Sequence, residues 1–252
     1  MSHSTPDLLW INVNPAFQRL ERSLLQTLAP HRRVLHWAYS QTLDEPSSLD
    51  VALSLLHDYI DQQEAVHLAG HGTGGLLGLL YARRFPNRIK SLTLLSVGIN
   101  PAMDWKALYY QARAQLPYSQ ARILAQMVEV LFGPLPRCTA AKWLKGLERD
   151  LDAALSPHSL LQRWEPYPEG VPVPLMVCGG AADTLVSPAQ IHGWSPWLKD
   201  GDRLWLCPGG RHFFPATHPE ATAQEMLKFW RSLELALPPA PHNPIDAIPT
   251  LS

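Results

Sequence analysis

Short apolar runs alternate with stretches of helical spacing along the first hundred residues, and this alternation limits the fold more than any other feature. Residues 8–13 (LLWINV), 34–39 (VLHWAY), 65–69 (AVHLA) and 89–96 (IKSLTLLS) read as strands. Between them, 16–28 places Phe17, Leu20, Leu24 and Leu28 on one helical face, and 49–60 does the same with Leu49, Leu53, Leu56 and Ile60. Ser47 or Ser48 can cap the second of these helices. The third strand runs into Gly70-His71-Gly72-Thr73-Gly74-Gly75, and a helix over 76–85 follows. Strands that are apolar throughout, joined by helices, predict a mostly parallel sheet covered on both faces.

The alternation stops near residue 98. Residues 98–170 predict helices only, over 105–116, 119–132, 139–155 and 157–164. Strands return at 173–178 and 203–207, and a last helix spans 219–235. The expected division is a core of 1–97 and 171–236, a helical cap of 98–170 over the carboxyl ends of the strands, and a proline-bearing tail of 237–252 read as disordered.

Composition narrows the partners. Net charge is −1, from 21 basic and 22 acidic residues, which argues against an electrostatically driven nucleic-acid or anionic-membrane partner. Hydrophobic residues make up 46%, enough for a well-buried domain. Cys138, Cys178 and Cys207 have no CxxC spacing and read as reduced thiols. There is no basic-then-apolar leader, and no apolar run reaches the roughly 18 residues of a membrane span. The expectation is a cytoplasmic protein.

Three landmarks carry chemistry. Val66 to Gly75 (VHLAGHGTGG) is a strand-to-helix turn framed by glycines; Val177 to Pro188 (VCGGAADTLVSP) places Asp183 after a late strand; Leu206 to Glu220 (LCPGGRHFFPATHPE) places His212 before the last helix. In this order, with Asp183 and His212 separated by 29 residues, they resemble the α/β-hydrolase superfamily. The resemblance spans roughly 8–96 and 171–235 and implies an α/β-hydrolase fold. It also implies a nucleophile elbow at 70–74, an acid at Asp183 and a base at His212.

At the elbow this chain departs from the pattern. The family's serine position is Gly72, so no side chain there can attack a carbonyl. Thr73 is one residue along, and the family pattern gives its backbone N–H, not its hydroxyl, a role at the oxyanion hole. Ser96, Cys178 and Cys207 read as structural. After the first strand stand Asn12-Val13-Asn14-Pro15 instead of a His-Gly or glycine-rich loop. Asn12 or Asn14 could donate to an anion, but helix capping before Pro15 is the favoured reading.

What is left is an Asp183–His212 dyad. It is either a structural hydrogen bond, the favoured reading, or a general base acting on a water or a substrate proton. His67 and His71 straddle a strand and a turn, so a metal site is not expected. Arg83, Arg84, Arg88 and Lys90 read as solvated, and GHGTGG lacks the Lys-Ser/Thr ending of a phosphate loop. Trp105, Tyr109, Tyr110, Trp143 and Trp164 read mainly as cap core, some lining an apolar pocket that faces Gly72. The leading expectation is a protein that has lost serine-hydrolase chemistry and binds a small apolar ligand or a protein, with no cofactor. The alternative is a serine-independent hydrolase or lyase using His212 and Asp183 on a small apolar ester or carbonyl compound. His71 and Thr73 at the elbow, with Asn12, Val13 and Asn14, are the expected binding neighbourhood.

Overall fold

A computed structural model describes residues 7–41, 44, 48–62, 64–158 and 167–236. Strand β1 (Leu8–Asn12) leads through a 3-10 turn (Pro15–Phe17) to α1 (Gln18–Leu28) and β2 (Val34–Ala38). Then come α2 (Leu49–Asp61), β3 (Val66–His71), α3 (Thr73–Arg84) and β4 (Ile89–Leu95). Helices α4 (Trp105–Gln115), α5 (Gln120–Phe132) and α6 (Arg137–Ala153) follow without a strand between them. The chain finishes with β5 (Leu175–Gly180), α7 (Pro188–His192), β6 (Arg203–Cys207), α8 (Phe214–Thr217) and α9 (Pro219–Ala236).

The six strands form one sheet in the order β2-β1-β3-β4-β5-β6, and every neighbouring pair is parallel. The chain therefore steps from β1 outward to β2, then crosses back to β3 and continues the other way. The reversal opens a crevice at the carboxyl ends of β1 and β3, where ligands bind in open α/β sheets.

Alternate residues of each strand serve opposite faces. Leu9 and Ile11 of β1 join Leu68, Leu92, Val177 and the inner faces of α2 and α3 in one core. Leu8 and Trp10 join Ala69, Leu95, Met176 and Cys178 with α1 and α9 in the other. Both faces are buried, which is why β1 carries no polar alternation. Ile123, Leu124 and Leu131 of α5 and Leu147 of α6 belong to the first core, so α4–α6 are packed onto the sheet layer through shared apolar contacts. No helix among the described residues is long and apolar enough to cross a membrane.

All six expected strands form, with shifted ends. Expected at 173–178, β5 runs Leu175–Gly180 instead. Pro172 and Pro174 have no N–H for the ladder, and pairing with β4 begins at Leu92 opposite Leu175. The helix expected from residue 76 already begins at Thr73, because the turn after β3, not glycine's poor helix propensity, sets its start. Ser48 caps α2, its Oγ accepting the Val51 N–H at 3.4 Å; Ser47 lies outside the described residues. Helices α7 and α8 were not expected, being too short to show periodicity. Apart from Pro157 and His158, which are not helical, the helix expected over 157–164 lies outside the described residues, with Trp164 and the tail 237–252.

Candidate functional site

One residue separates β3 from α3. Gly72 adopts φ 52° and ψ −124°, its N–H donates to the Leu95 carbonyl at 2.9 Å, and its own carbonyl accepts the Leu76 N–H at 2.9 Å. This is left-handed backbone, which costs a side-chain-bearing residue about 1–3 kcal/mol and glycine far less. The framing glycines are required by close approach. A Cβ on Gly70 would lie 2.6 Å from the Gly74 carbonyl carbon, and one on Gly74 would lie 2.5 Å from the Ile11 carbonyl oxygen. Gly72 differs: a Cβ there would meet nothing within 4 Å. The turn is thus tight at its two framing glycines and open at its tip.

Asp183 and His212 come from the loops after β5 and β6. A Cβ on Gly180 would stand 2.4 Å from the Gly210 carbonyl oxygen, and this contact brings the two loops together. The His212 Nδ1–H donates to Asp183 Oδ2 at 2.9 Å, while Asp183 Oδ1 accepts the N–H groups of Leu185 and Val186 at 2.9 and 3.0 Å. Both side chains are buried, 3% and 4% exposed. Burial pushes the Asp183 carboxyl up, but His212 and the hydrogen bonds outweigh it and hold the acid below its usual range.

The His212 main chain is fixed as well. Its carbonyl accepts from His71 Nε2–H and from Ser96 Oγ–H, each at 2.9 Å. Ser96 has φ 51°, a left-handed residue at the end of β4. Burial pushes the His71 pKa down to about 3, so its ring is neutral and donates from Nε2. His71 thus ties the elbow to the histidine loop.

Between these loops is a cavity of about 30 Å³ lined by Val13, Asn14, Phe17, Glu21, His71, Gly72, Thr73, Asp104, Trp105, His212 and Phe213, among others. That volume admits about one water. Aromatic rings close it: Phe213 stacks on Phe132 at 4.8 Å and lies 5.0 Å from Phe17, while Trp143 stacks on Phe132 at 5.1 Å. Roomier clefts of about 870 and 500 Å³ run along α6, but neither Gly72 nor His212 lines them.

The expected residues divide. Gly72, His71, Thr73, Val13, Asn14 and His212 line one cavity, with Asp183 behind His212. Asn12 does not line it: its Nδ2 donates to Glu21 Oε1 at 2.8 Å and its Oδ1 accepts the Asn14 N–H at 3.2 Å. The capping expectation is corrected. Asn14 holds the N-cap position of the 3-10 turn without a side-chain cap bond, and the Ala16 N–H goes to Asp150 Oδ1 of α6 at 3.0 Å. Burial pushes the Asp150 pKa up to about 6.

Hydroxyls and thiols near the elbow are committed or remote. Thr73 Oγ1 donates to Asp104 Oδ2 at 3.2 Å. Ser96 is spent on His212, while Cys178 and Cys207 sit in the opposite core with thiols pushed up by burial. His67 bonds Ser91 at 2.7 Å, away from the elbow. No group of His, Cys, Asp or Glu among the described residues could hold a metal.

Asp104 and Glu21 were not foreseen. Asp104 caps α4, its Oδ1 accepting the Ala107 N–H at 2.8 Å, and an aspartate ahead of a helical run signals a cap, not a cavity wall.

A family model described as "alpha/beta hydrolase fold" matches residues 48–245. An uncharacterized protein of Synechocystis is 43% identical over 235 residues, covering 93% of each chain. Another of Nostoc is 40% identical over 226 residues, covering 89% of this chain and 90% of that one. The crystal structure of a hydrolase from Pseudomonas aeruginosa superposes with a TM-score of 0.65 at 20% identity, covering 91% of each chain. This chain belongs to the α/β-hydrolase fold family.

Proposed function

We propose that this α/β-hydrolase-fold protein has no serine-hydrolase activity and binds a small ligand beneath α4–α6, with residues 98–170 acting as the cap. One observation carries this reading. The turn at Gly72 bears no nucleophile, and the hydroxyls of Thr73 and Ser96 are already bonded to Asp104 and to the His212 carbonyl. Acyl transfer needs a group that can attack and a base to activate it. Here only the base side is assembled.

A fluorophosphonate probe tests the reading. The wild-type protein is expected to stay unlabelled, and Gly72→Ser to become labelled, since the space for its side chain is open. Labelling of the wild-type protein at any residue of the cavity overturns the reading.

A second reading rests on the dyad and the cavity size. A water in the 30 Å³ space could be activated by the Asp183-paired His212, giving hydrolysis of a small ester without an acyl-enzyme. Turnover of an ester panel by the wild-type protein, abolished in His212→Ala, would favour this reading over ligand binding alone.

A further inference from the structure

We propose that the cavity beside Gly72 takes the protonated primary amine of an apolar ligand and rejects carboxylates and phosphates. This names a ligand class for the binding role above and rests on that role.

His212, Asp104 and Glu21 give the cavity hydrogen-bond acceptors; Trp10 lines it as well, and its buried Nε1–H has no partner among the described residues. His212 is 4% exposed and gives its Nδ1–H to Asp183, so its Nε2 carries a lone pair, and among the described residues nothing bonds that nitrogen. Asp104, 8% exposed, presents a carboxylate that already takes N–H or O–H bonds from Ala107, Thr73 and Ser156. Glu21 adds a second carboxylate, bonded to Asn12 and His36. No lysine or arginine among the described residues lines the cavity. The nearby cation, Lys106, turns its Nζ to the carbonyls of Leu151 and Ala154, at 3.1 and 2.7 Å. His71 is neutral and spends its Nε2–H on the His212 carbonyl.

The sign is opposite to that of an acyl-transfer site. Asp104 stands over the first residue of α3, bonded to Thr73, where the N-terminal end of a helix would otherwise attract an oxyanion. A fixed carboxylate there repels a second anion and attracts a donor. The surrounding rings, Trp10, Phe17, Trp105 and Phe213, suit the face of a cation and an apolar tail. Hydrogen bonding selects further: an ammonium head has three N–H donors for these acceptors, and a trimethylammonium head has none.

Calorimetric titrations of the full chain with hexylamine, 1-hexanol, hexanoate and hexyltrimethylammonium test this, with the wild-type protein, Asp104→Asn and Glu21→Gln. Asp104→Asn keeps the acceptor that caps α4, and Glu21→Gln provides a second variant outside that cap. Hexylammonium is expected to bind on the order of tenfold or more tighter than hexanol, as one charge-assisted hydrogen bond provides. Hexanoate and the trimethylammonium compound are expected not to bind. The ammonium preference should fall by about tenfold in Asp104→Asn, and the His212 imidazole nitrogen resonances should shift on binding to the wild-type protein. Hexanoate binding as tightly as hexylammonium, or a preference unchanged in both variants, overturns the inference while the binding role stands. If none of the four compounds binds, the binding role fails and takes this inference with it.

Discussion

The two sides of the cavity are built on opposite terms. At the end of β3, backbone geometry is held tightly while the tip of the turn is open: Gly70 and Gly74 have no room for a Cβ, and Gly72 has room but no side chain. Across the cavity, the polar atoms are held tightly. Asp183 has both oxygens bonded, His212 is bonded through its ring and its carbonyl, and both are buried. A turn demanded by strand-to-helix packing persists whatever its tip carries, because the fold needs its shape. A buried acid and imidazole persist only as partners, since either one alone leaves unpaired groups that cost free energy. Survival of the dyad is therefore no measure of survival of a reaction.

The largest expected effect falls on the bonded side. Asp183→Ala strands the N–H groups of Leu185 and Val186 and the His212 ring, and should lower unfolding free energy by about 3–5 kcal/mol in urea titrations. A loss no larger than that of a surface substitution would break the contrast between the two sides.

Acid should act next, through buried imidazoles. His71 and His67 have folded pKa values pushed down to about 3 and about 4 from 6.5, with burial the main cause. The folded state takes up these protons later than the unfolded chain, so stability is full above pH 6.5 and falls as pH drops toward 4. Asp150, pushed up to about 6, opposes this between pH 3.8 and 6, because there the folded state holds the extra proton. Melting curves across this range should show a shallower decline for His71→Gln, which keeps a donor to the His212 carbonyl, and a steeper one for Asp150→Asn.

A smaller change belongs to the open side. Gly72→Ala should cost about 1–3 kcal/mol from the left-handed backbone alone, since no atom opposes the new methyl group. A much larger loss would mean that the position is filled and the contrast false. The smallest effect, about 1 kcal/mol in urea titrations, is expected for Ser96→Ala, which removes one of two donors to the His212 carbonyl.

Much of this was legible in the chain. Apolar strands alternating with helices, the glycine frame and the order of elbow, acid and histidine were enough to anticipate a parallel sheet and to single out Gly72, Asp183 and His212. Local pattern suffices there because strand burial and tight turns leave a mark at short spacing. Asp150 capping the turn after β1 was hidden, since that bond joins residues 134 positions apart and an asparagine in the right place offered a nearer answer. Asp104 was hidden for a related reason: its sequence context announces a helix cap, and only the packing of α4 against the elbow puts the same carboxylate on the cavity wall.

The sequence by itself determined the layered architecture and the glycine at the tip of the turn after β3, because periodicity and residue identity are local properties. Only the tertiary structure decided what the turn at Gly72 faces: a small cavity walled by aromatic rings, two carboxylates and an imidazole nitrogen. Those groups come from β1, α1, the start of α4 and the loop after β6, and no spacing along the chain encodes their meeting. It follows from two apolar faces of one sheet being buried at once, which leaves the carboxyl ends of β1 and β3 as the place where the loops converge.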